Sequence, residues 1–417
     1  MPVHAHSYTK TSVPVPLLAS RPTRYRASKA PQVASWLQGR ERSLLRRLVN
    51  QVARPGVVSL AGGLPAVEHF PSRAYGEIVS ELLRDPESMQ YVPSCGELKE
   101  RIVDLMQRRG VECAVDEILV TTGAQQALDV SVRGLLNAGG SVAVERFAYA
   151  GFREVLAPHA PRLVTLPSGF DDGLDVEALE RFLLAGARPS LVYVIPDAHN
   201  PLGVSLPREA RERLVVLAHD YDFVILEDDP YGLLWCDGEF EAPLAALDSE
   251  RVVYAGTFSK ILAPALRLGW LRLPASLVRT FAAVKEIGDL ECSRLSVLAV
   301  ARLLRDLDLE RHLELLRGTY RRRRNAMLEA LAAHLPAGCV FTEPGGGMFV
   351  WVELPEGVDG ERLLQRTLTE RRVAFLPATA FADGADRAAP RNAARLSFSR
   401  LEPEALREAV ADFAACI

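Results

Sequence analysis

From Glu117 onward, short apolar runs alternate with stretches in which apolar residues recur every three or four positions. That alternation is the signature of a mostly parallel sheet whose strands are joined by crossover helices. The runs predict strands at Ile118 to Thr122, Ser141 to Glu145, Leu191 to Ile195, Phe223 to Glu227, Val252 to Thr257 and Leu268 to Leu273. Between them, Val176, Leu179, Phe182 and Leu183 share one helical face, as do Ala210, Leu214, Leu217 and Ala218. Such stripes face a core rather than a ligand. A further amphipathic helix is expected over Gln125 to Asn137.

After Ser296 the pattern changes to a long Arg- and Leu-rich helical stretch, followed by strands around Met348 to Leu354 and Arg395 to Phe398. The expected fold class is therefore α/β, with a large domain around a mostly parallel central sheet and a smaller α/β C-terminal domain. Residues 1 to 30 lack periodicity, and Pro14, Pro16 and Pro22 suit an extended arm. The expected organisation is an arm over 1–40, a segment over 41–74 packing on the small domain, a large domain over 75–300 and a small one over 301–417.

Composition narrows the class without naming it. An apolar content of 48% and a charged content of 24% describe an ordinary globular protein. The net charge of -4 provides no global field for nucleic acid or an anionic membrane. The run Arg321 to Arg324 reads as a solvated helix face. The six cysteines show no CxxC spacing, so neither a zinc site nor a disulfide framework is expected, and a reduced cytoplasmic setting fits. The N-terminus lacks the apolar core of a signal peptide, and no stretch suits a membrane span.

Candidate chemistry gathers at strand ends, where open α/β sheets bind ligands. Thr121-Thr122-Gly123-Ala124-Gln125-Gln126 ends a strand and opens a helix, whose free N–H groups and dipole suit a phosphate. Any α/β protein also needs such turns. Pro196 to Gly203 follows an apolar strand and contains Asn200-Pro201, which by itself makes a turn. At Glu227-Asp228-Asp229-Pro230-Tyr231, three carboxylates close a buried strand and imply a buried cationic partner. Metal binding is the rival reading, but no second ligand cluster completes a set, and none is expected. Gly256-Thr257-Phe258-Ser259-Lys260 places a lysine after two hydroxyl residues, with Arg267 seven positions on. In isolation that lysine also reads as surface decoration.

Together these motifs resemble the class I/II aminotransferase family of pyridoxal-phosphate enzymes of fold type I. The matching signals are TTGAQQALD, the PxxxNPxG frame from Pro196, EDDPY and TFSKxxxPxLRxG from Thr257. AGGLPxxxxFP from Ala61, QYxPxxG from Gln90, PGGGMFxW from Pro344 and ARLSFS from Ala394 complete the ordered set. The AGGLP and QYxPxxG signals look most like the branch of 2-aminoadipate and kynurenine aminotransferases.

The resemblance implies roles for individual residues. Lys260 would carry pyridoxal 5'-phosphate as a Schiff base and move the α-proton, while Asp228 pairs with the pyridine nitrogen. Asp229 is expected to be a flanking structural acid. Asn200 and Tyr231 would bond the phenolic oxygen, and Tyr149 would stack on the ring. The phosphate would lie on Gly123, Ala124 and Gln125, with Thr257, Ser259 and Arg267 adding donors and Tyr91 arriving from a second subunit. A homodimer with shared sites follows. Arg395 would clamp the substrate α-carboxylate, helped by Asn200 and Gly63.

His199, Leu202 and the Arg146-Phe147-Ala148 segment depart from the usual family pattern. They leave open a relative repurposed for decarboxylation, oxidative deamination, elimination or γ-replacement. A regulator built on the same fold is a third reading, but no helix-turn-helix pattern precedes AGGLP. An L-amino acid and a 2-oxo acid are the expected small-molecule partners. For the substrate side chain, Arg40, Arg42, Arg46, Arg47, Ser293 and Arg294 are loose candidates that also read as solvated residues.

Overall fold

The computed structural model describes residues 33–38, 56–91, 96–238, 240–383, 386 and 389–417. Arg40, Arg42, Arg46 and Arg47 lie outside the described residues, as does most of the predicted arm and the Val92 to Cys95 part of QYxPxxG. Residues 33–38, taken by themselves, hold one 3-10 turn at Ser35–Leu37.

From Gly56 the chain forms β1 (Val58–Ser59), β2 (Ile118–Thr121), β3 (Ser141–Glu145), β4 (Arg162–Leu166) and a small hairpin of β5 (Ser168–Gly169) and β6 (Gly173–Leu174). Then come β7 (Leu191–Val194), β8 (Val224–Asp229), β9 (Val252–Thr257) and β10 (Gly269–Arg272). The C-terminal part adds β11 (Val340–Phe341), β12 (Phe349–Glu353), β13 (Val373–Ala374), β14 (Leu376–Pro377) and β15 (Ala393–Ser397).

Seven strands make the central sheet in the order β2-β10-β9-β8-β7-β3-β4. The run from β9 to β4 is parallel, and β10 is antiparallel to both its neighbours. Every residue of β3, β7 and β9 is buried, as expected for strands covered on both faces by helices. The helix Ala124–Leu135 turns Ala127, Leu128, Val130 and Val132 into the core shared with Tyr193, Leu226 and Val253.

Two differences from the sequence reading affect the site. Strand β8 runs two residues past the predicted end, so Asp228 and Asp229 lie in register with Ala255 and Gly256. The edge strand β4 was not anticipated, because Arg-Leu-Val-Thr-Leu is half exposed and lacks a clean apolar run.

A second, antiparallel sheet has the order β11-β12-β15-β14. The early segment is stitched to this part of the molecule. Strand β1 pairs with β13, Ser397 N donates to Leu60 O at 2.8 Å, and Ser399 Oγ donates to Leu64 O at 2.7 Å.

The helix Leu309–His334 corrects the reading of the arginine run. Arg323 and Arg324 are buried, not solvated. Arg323 binds Ser399 O at 2.9 Å and Glu68 at 2.6 Å and also pairs with Glu402, while Arg324 holds Pro344 O at 3.1 Å and pairs with Asp237. Among the described residues no helix is long and apolar enough to cross a membrane.

Candidate active site

The carboxyl ends of the parallel strands, the turn after β2 and the Ala61 to Leu64 segment open onto one cavity of about 820 Å³. A crevice at this edge of an open sheet is where ligands bind.

At one end, β2 gives way to the helix Ala124–Leu135 through Gly123, whose φ of 80° favours glycine. A Cβ at Gly123 would lie 2.8 Å from Arg267 Nη2, so the missing side chain also admits the guanidinium. Arg267 Nη2 donates to Thr122 O at 3.0 Å, and the hydroxyls of Thr257 and Ser259 are 3.0 Å apart. A helix N-terminus, a guanidinium and two hydroxyls form a set of donors for a phosphate.

At the deep end, the Tyr193 hydroxyl donates to Asp228 Oδ2 at 2.7 Å, with Tyr193 stacked on Phe152 at 3.7 Å between centroids. Asp228 Oδ1 is buried and has no hydrogen-bond partner among the described residues. Burial pushes this carboxyl up to about 7, against the opposing pull of the Tyr193 bond. An orphaned buried oxygen of this kind calls for a donor from a ligand.

Between the two ends, Lys260 Nζ donates to Gly63 O at 2.7 Å. Burial, then the Arg395 charge, brings the amine down to about 8, partly countered by Asp228. Tyr149 Oη donates to Gln125 Oε1 at 3.2 Å, and Tyr231 meets the Phe349 ring edge-on at 5.9 Å. Burial raises both phenols above their usual value.

Arg395 closes the opposite wall. Nη1 donates to Asn200 Oδ1 at 2.6 Å and Nη2 to Ala61 O at 2.5 Å, while Nε has no partner among the described residues. The guanidinium lies 3.9 Å from the Phe349 centroid and 4.8 Å from that of Phe381. Burial pulls it well below the ordinary arginine value, and among the described residues no carboxylate pairs with it. A buried guanidinium held only by neutral oxygens is prepared for an anionic ligand.

The remaining strand-end carboxylates serve the scaffold. Glu227 accepts from the N–H groups of Leu244 and Ala245, both at 2.8 Å, and burial pushes it up to about 8. Asp229 accepts from Tyr254 Oη at 2.8 Å and Arg109 Nε at 3.3 Å. Arg109 Nη2 also reaches Asp197 Oδ2 at 2.5 Å. The buried cation implied by the three carboxylates is therefore Arg109, and it meets Asp229 rather than Asp228.

Lys260, Asp228, Tyr231, Ala124, Gln125 and Tyr149 line the cavity, together with Asn200, Thr257, Ser259, Arg267, Arg395 and Gly63. Gly123 caps the helix beside it, and Tyr91 lies away from it, 77% exposed. Arg109, Tyr193, Phe349 and Phe381 were missed as contributors. Phe349 alone carried a signal, through PGGGMFxW. The positions that depart from the family pattern sit behind the lining. His199 Nε2 lies 3.0 Å from Glu145 Oε2, Leu202 O accepts from Thr342 Oγ1 at 2.8 Å, Phe147 packs 4.9 Å from Trp351, and Arg146 pairs with Asp386 at 3.2 Å.

A doubly layered sheet with an amine, a carboxylate and a phosphate cradle at its strand ends defines a class of cofactor-dependent group-transfer enzymes. The family model described as aminotransferase class I and II matches residues 57–413, and the chain belongs to that family, whose enzymes use pyridoxal 5'-phosphate. It is 37% identical over 382 residues to an aromatic-amino-acid aminotransferase of Thermococcus litoralis, covering 89% of this chain and 90% of that one. Identity to the 2-aminoadipate transaminase of Thermus thermophilus is also 37%, over 376 residues, 88% of this chain and 92% of the relative. The crystal structure of Pyrococcus horikoshii kynurenine aminotransferase in complex with PMP superimposes with a TM-score of 0.86 at 34% identity, covering 92% and 96% of the two chains.

The cavity fits that cofactor on its own chemistry. The donor cluster at Gly123 matches a phosphate, the orphaned Asp228 oxygen matches a protonated ring nitrogen, and the Lys260 amine matches an aldehyde.

Proposed function

We propose that the chain transfers the amino group of an L-amino acid to a 2-oxo acid, with Lys260 as the residue that holds the cofactor. One observation carries this reading. A single cavity gathers the buried Lys260 amine, the unpartnered Asp228 Oδ1 and an Arg395 guanidinium that meets no carboxylate among the described residues. Bound there, pyridoxal phosphate supplies an aldehyde that accepts amines and a ring that accepts electrons.

The chain's own groups divide the work. Lys260 Nζ would hold the cofactor through its aldehyde and would serve as the base that takes and returns the substrate's α-proton. Asp228 Oδ1 would accept from the ring N–H and keep that nitrogen protonated. Asn200, whose Oδ1 is committed to Arg395, would have its amide N–H left to donate to the phenolic oxygen alongside Tyr231. Tyr149 covers the ring face, while Ala124, Gln125, Thr257, Ser259 and Arg267 hold the phosphate. Arg395 forks the substrate α-carboxylate, and Gly63 leaves room for it.

Tyr91 extends this reading to a homodimer in which it completes the partner's phosphate site. Its high exposure in the single chain supports that role. We further propose a large domain over 75–300 and a small one over 301–417, with the described part of the 41–74 segment, from Gly56 on, packed on the latter, and a cytoplasmic place of work. The departures from the family pattern stand off the cavity lining, which favours transamination over a repurposed reaction.

Mixing cofactor-loaded protein with aromatic or acidic amino acids should convert the yellow chromophore to the amine form of the cofactor and release the matching 2-oxo acid. Release of carbon dioxide, peroxide or a γ-substituent, without that conversion, overturns the proposal.

A further inference from the structure

Beside the phosphate cradle lies a polar cluster that the reaction does not use. At the end of the helix Val278–Asp289, the Lys285 ammonium is buried and pairs with Asp289 Oδ1 at 2.9 Å and Glu291 Oε2 at 3.7 Å. The other oxygen, Asp289 Oδ2, accepts from Thr122 Oγ1 at 3.0 Å and from Gln126 Nε2 at 2.7 Å. Gln126 Oε1 accepts in turn from the Thr122 N–H at 2.6 Å, and Thr122 O takes Arg267 Nη2 at 3.0 Å.

The N–H, hydroxyl and carbonyl of Thr122 are thus all committed. Thr122 directly precedes Gly123, the most permissive residue of the turn, so these bonds set where the helix N-terminus points. Charge matters as much as shape here. A bare carboxylate this close to the cradle would repel a phosphate dianion, and the Lys285 ammonium offsets it. Burial pushes the Asp289 carboxyl up, but the bonds from Gln126 and Thr122 and the Lys285 ammonium beside it prevail and hold it below the usual value, in its ionised form.

We infer that the end of the helix Val278–Asp289 is a positioning clamp for the cofactor's phosphate: Asp289, neutralised by Lys285, fixes Thr122 and Gln126 and so sets how tightly the turn at Gly123 grips a phosphate. Asp289 acts through these two residues and touches no reacting atom. The inference rests on the reading that phosphate binds at this turn.

The test titrates cofactor-free protein with pyridoxal phosphate and, separately, with pyridoxal, which lacks the phosphate. Asp289→Ala is expected to weaken pyridoxal phosphate about tenfold, the worth of one hydrogen bond to a charged group, and to leave pyridoxal within about twofold. Asp289→Asn keeps an acceptor without the charge and should stay near wild type. Lys285→Met strips the carboxylate of its counter-ion and should weaken the phosphorylated form selectively. Should Asp289→Ala fail to fold, Thr122→Val removes only the hydroxyl and carries the same expectation.

Wild-type affinity for pyridoxal phosphate in Asp289→Ala, or an equal loss for both ligands, overturns the clamp. Arg267→Met separates the two levels. If it loses the preference for phosphate while Asp289→Ala keeps it, the clamp fails and the site assignment stands. If Arg267→Met keeps the preference, the placement of phosphate at this turn fails.

Discussion

Replacing Arg395 with methionine tests the assignment of the α-carboxylate site most directly. The guanidinium is buried, fixed by Asn200 Oδ1 at 2.6 Å and Ala61 O at 2.5 Å, and flanked by the Phe349 and Phe381 rings. Its planar fork can give a carboxylate two charge-assisted bonds, each worth ~1.5–3 kcal/mol. Losing both removes ~3–6 kcal/mol, or roughly a hundredfold to ten-thousandfold in kcat/KM for the amino acid. Cofactor affinity should hold, because Arg395 bonds Asn200 and Ala61 and none of the phosphate donors. Stability of the cofactor-free protein should not fall either, since the variant removes a buried charge that no carboxylate among the described residues offsets. Arg395→Lys keeps the charge without the fork and should fall between the two. The assays are steady-state kinetics with several donors, an absorbance titration of cofactor and a thermal melt. A loss of less than about tenfold in kcat/KM, well below the value of the paired bonds, would refute the reasoning. So would an equal loss of cofactor affinity.

Other predictions follow from the same geometry. Arg109→Met takes the cationic partner from buried Asp229, while Asp197 keeps Arg211 at 2.6 Å, and removing one partner of such a buried pair should cost ~3–5 kcal/mol in denaturant unfolding; a melt unchanged from wild type contradicts this. Asp228 is raised from 3.8 to about 7 in the fold, so ionising it costs stability that is intact below pH 3.8 and lost as pH rises through about 7. Cofactor-free Asp228→Asn should therefore exceed wild type by up to ~4 kcal/mol above that window and match it at low pH; a gap that persists in acid argues against it. Lys260 is held near 8, so the rate at which cofactor-free protein captures pyridoxal phosphate should climb with pH to about 8 and then level, measured by stopped-flow absorbance. A midpoint at the ordinary 10.5 rules that out. Gly63→Ala would place a Cβ 2.4 Å from Phe349 Cζ. Displacing that ring beneath Arg395 should raise KM for the amino acid while leaving cofactor binding intact, and unchanged kinetics would contradict this.

The chain advertised its sheet and its strand-end chemistry because both are local. β3 and β9 are continuous apolar runs, and the residues that close them sit next to them in sequence. What stayed hidden depends on partners far apart along the chain. Arg109 directly follows the amphipathic helix Gly96–Arg108, which resembles any surface helix, yet it neutralises Asp229, 120 residues away. Tyr193 was legible as a strand residue but not as the donor to Asp228. The arginine run misled for a geometric reason. Four consecutive helical residues point in directions spread over about 300°, so on a helix packed along one face a run of like charge must send some members inward. Arg323 and Arg324 are those members, and the chain supplies Glu68, Glu402 and Asp237 to meet them.

Two of the oxygens that hold the cationic side chains of the site, Ala61 O on Arg395 and Gly63 O on Lys260, belong to peptide bonds. Amino-acid replacement cannot delete such acceptors. Evolution can therefore vary the side chains of this strip to change what the enzyme accepts while the two cations keep their anchors, provided position 63 stays without a Cβ. Substrate choice and the charge layout of the reaction are in this way separately heritable.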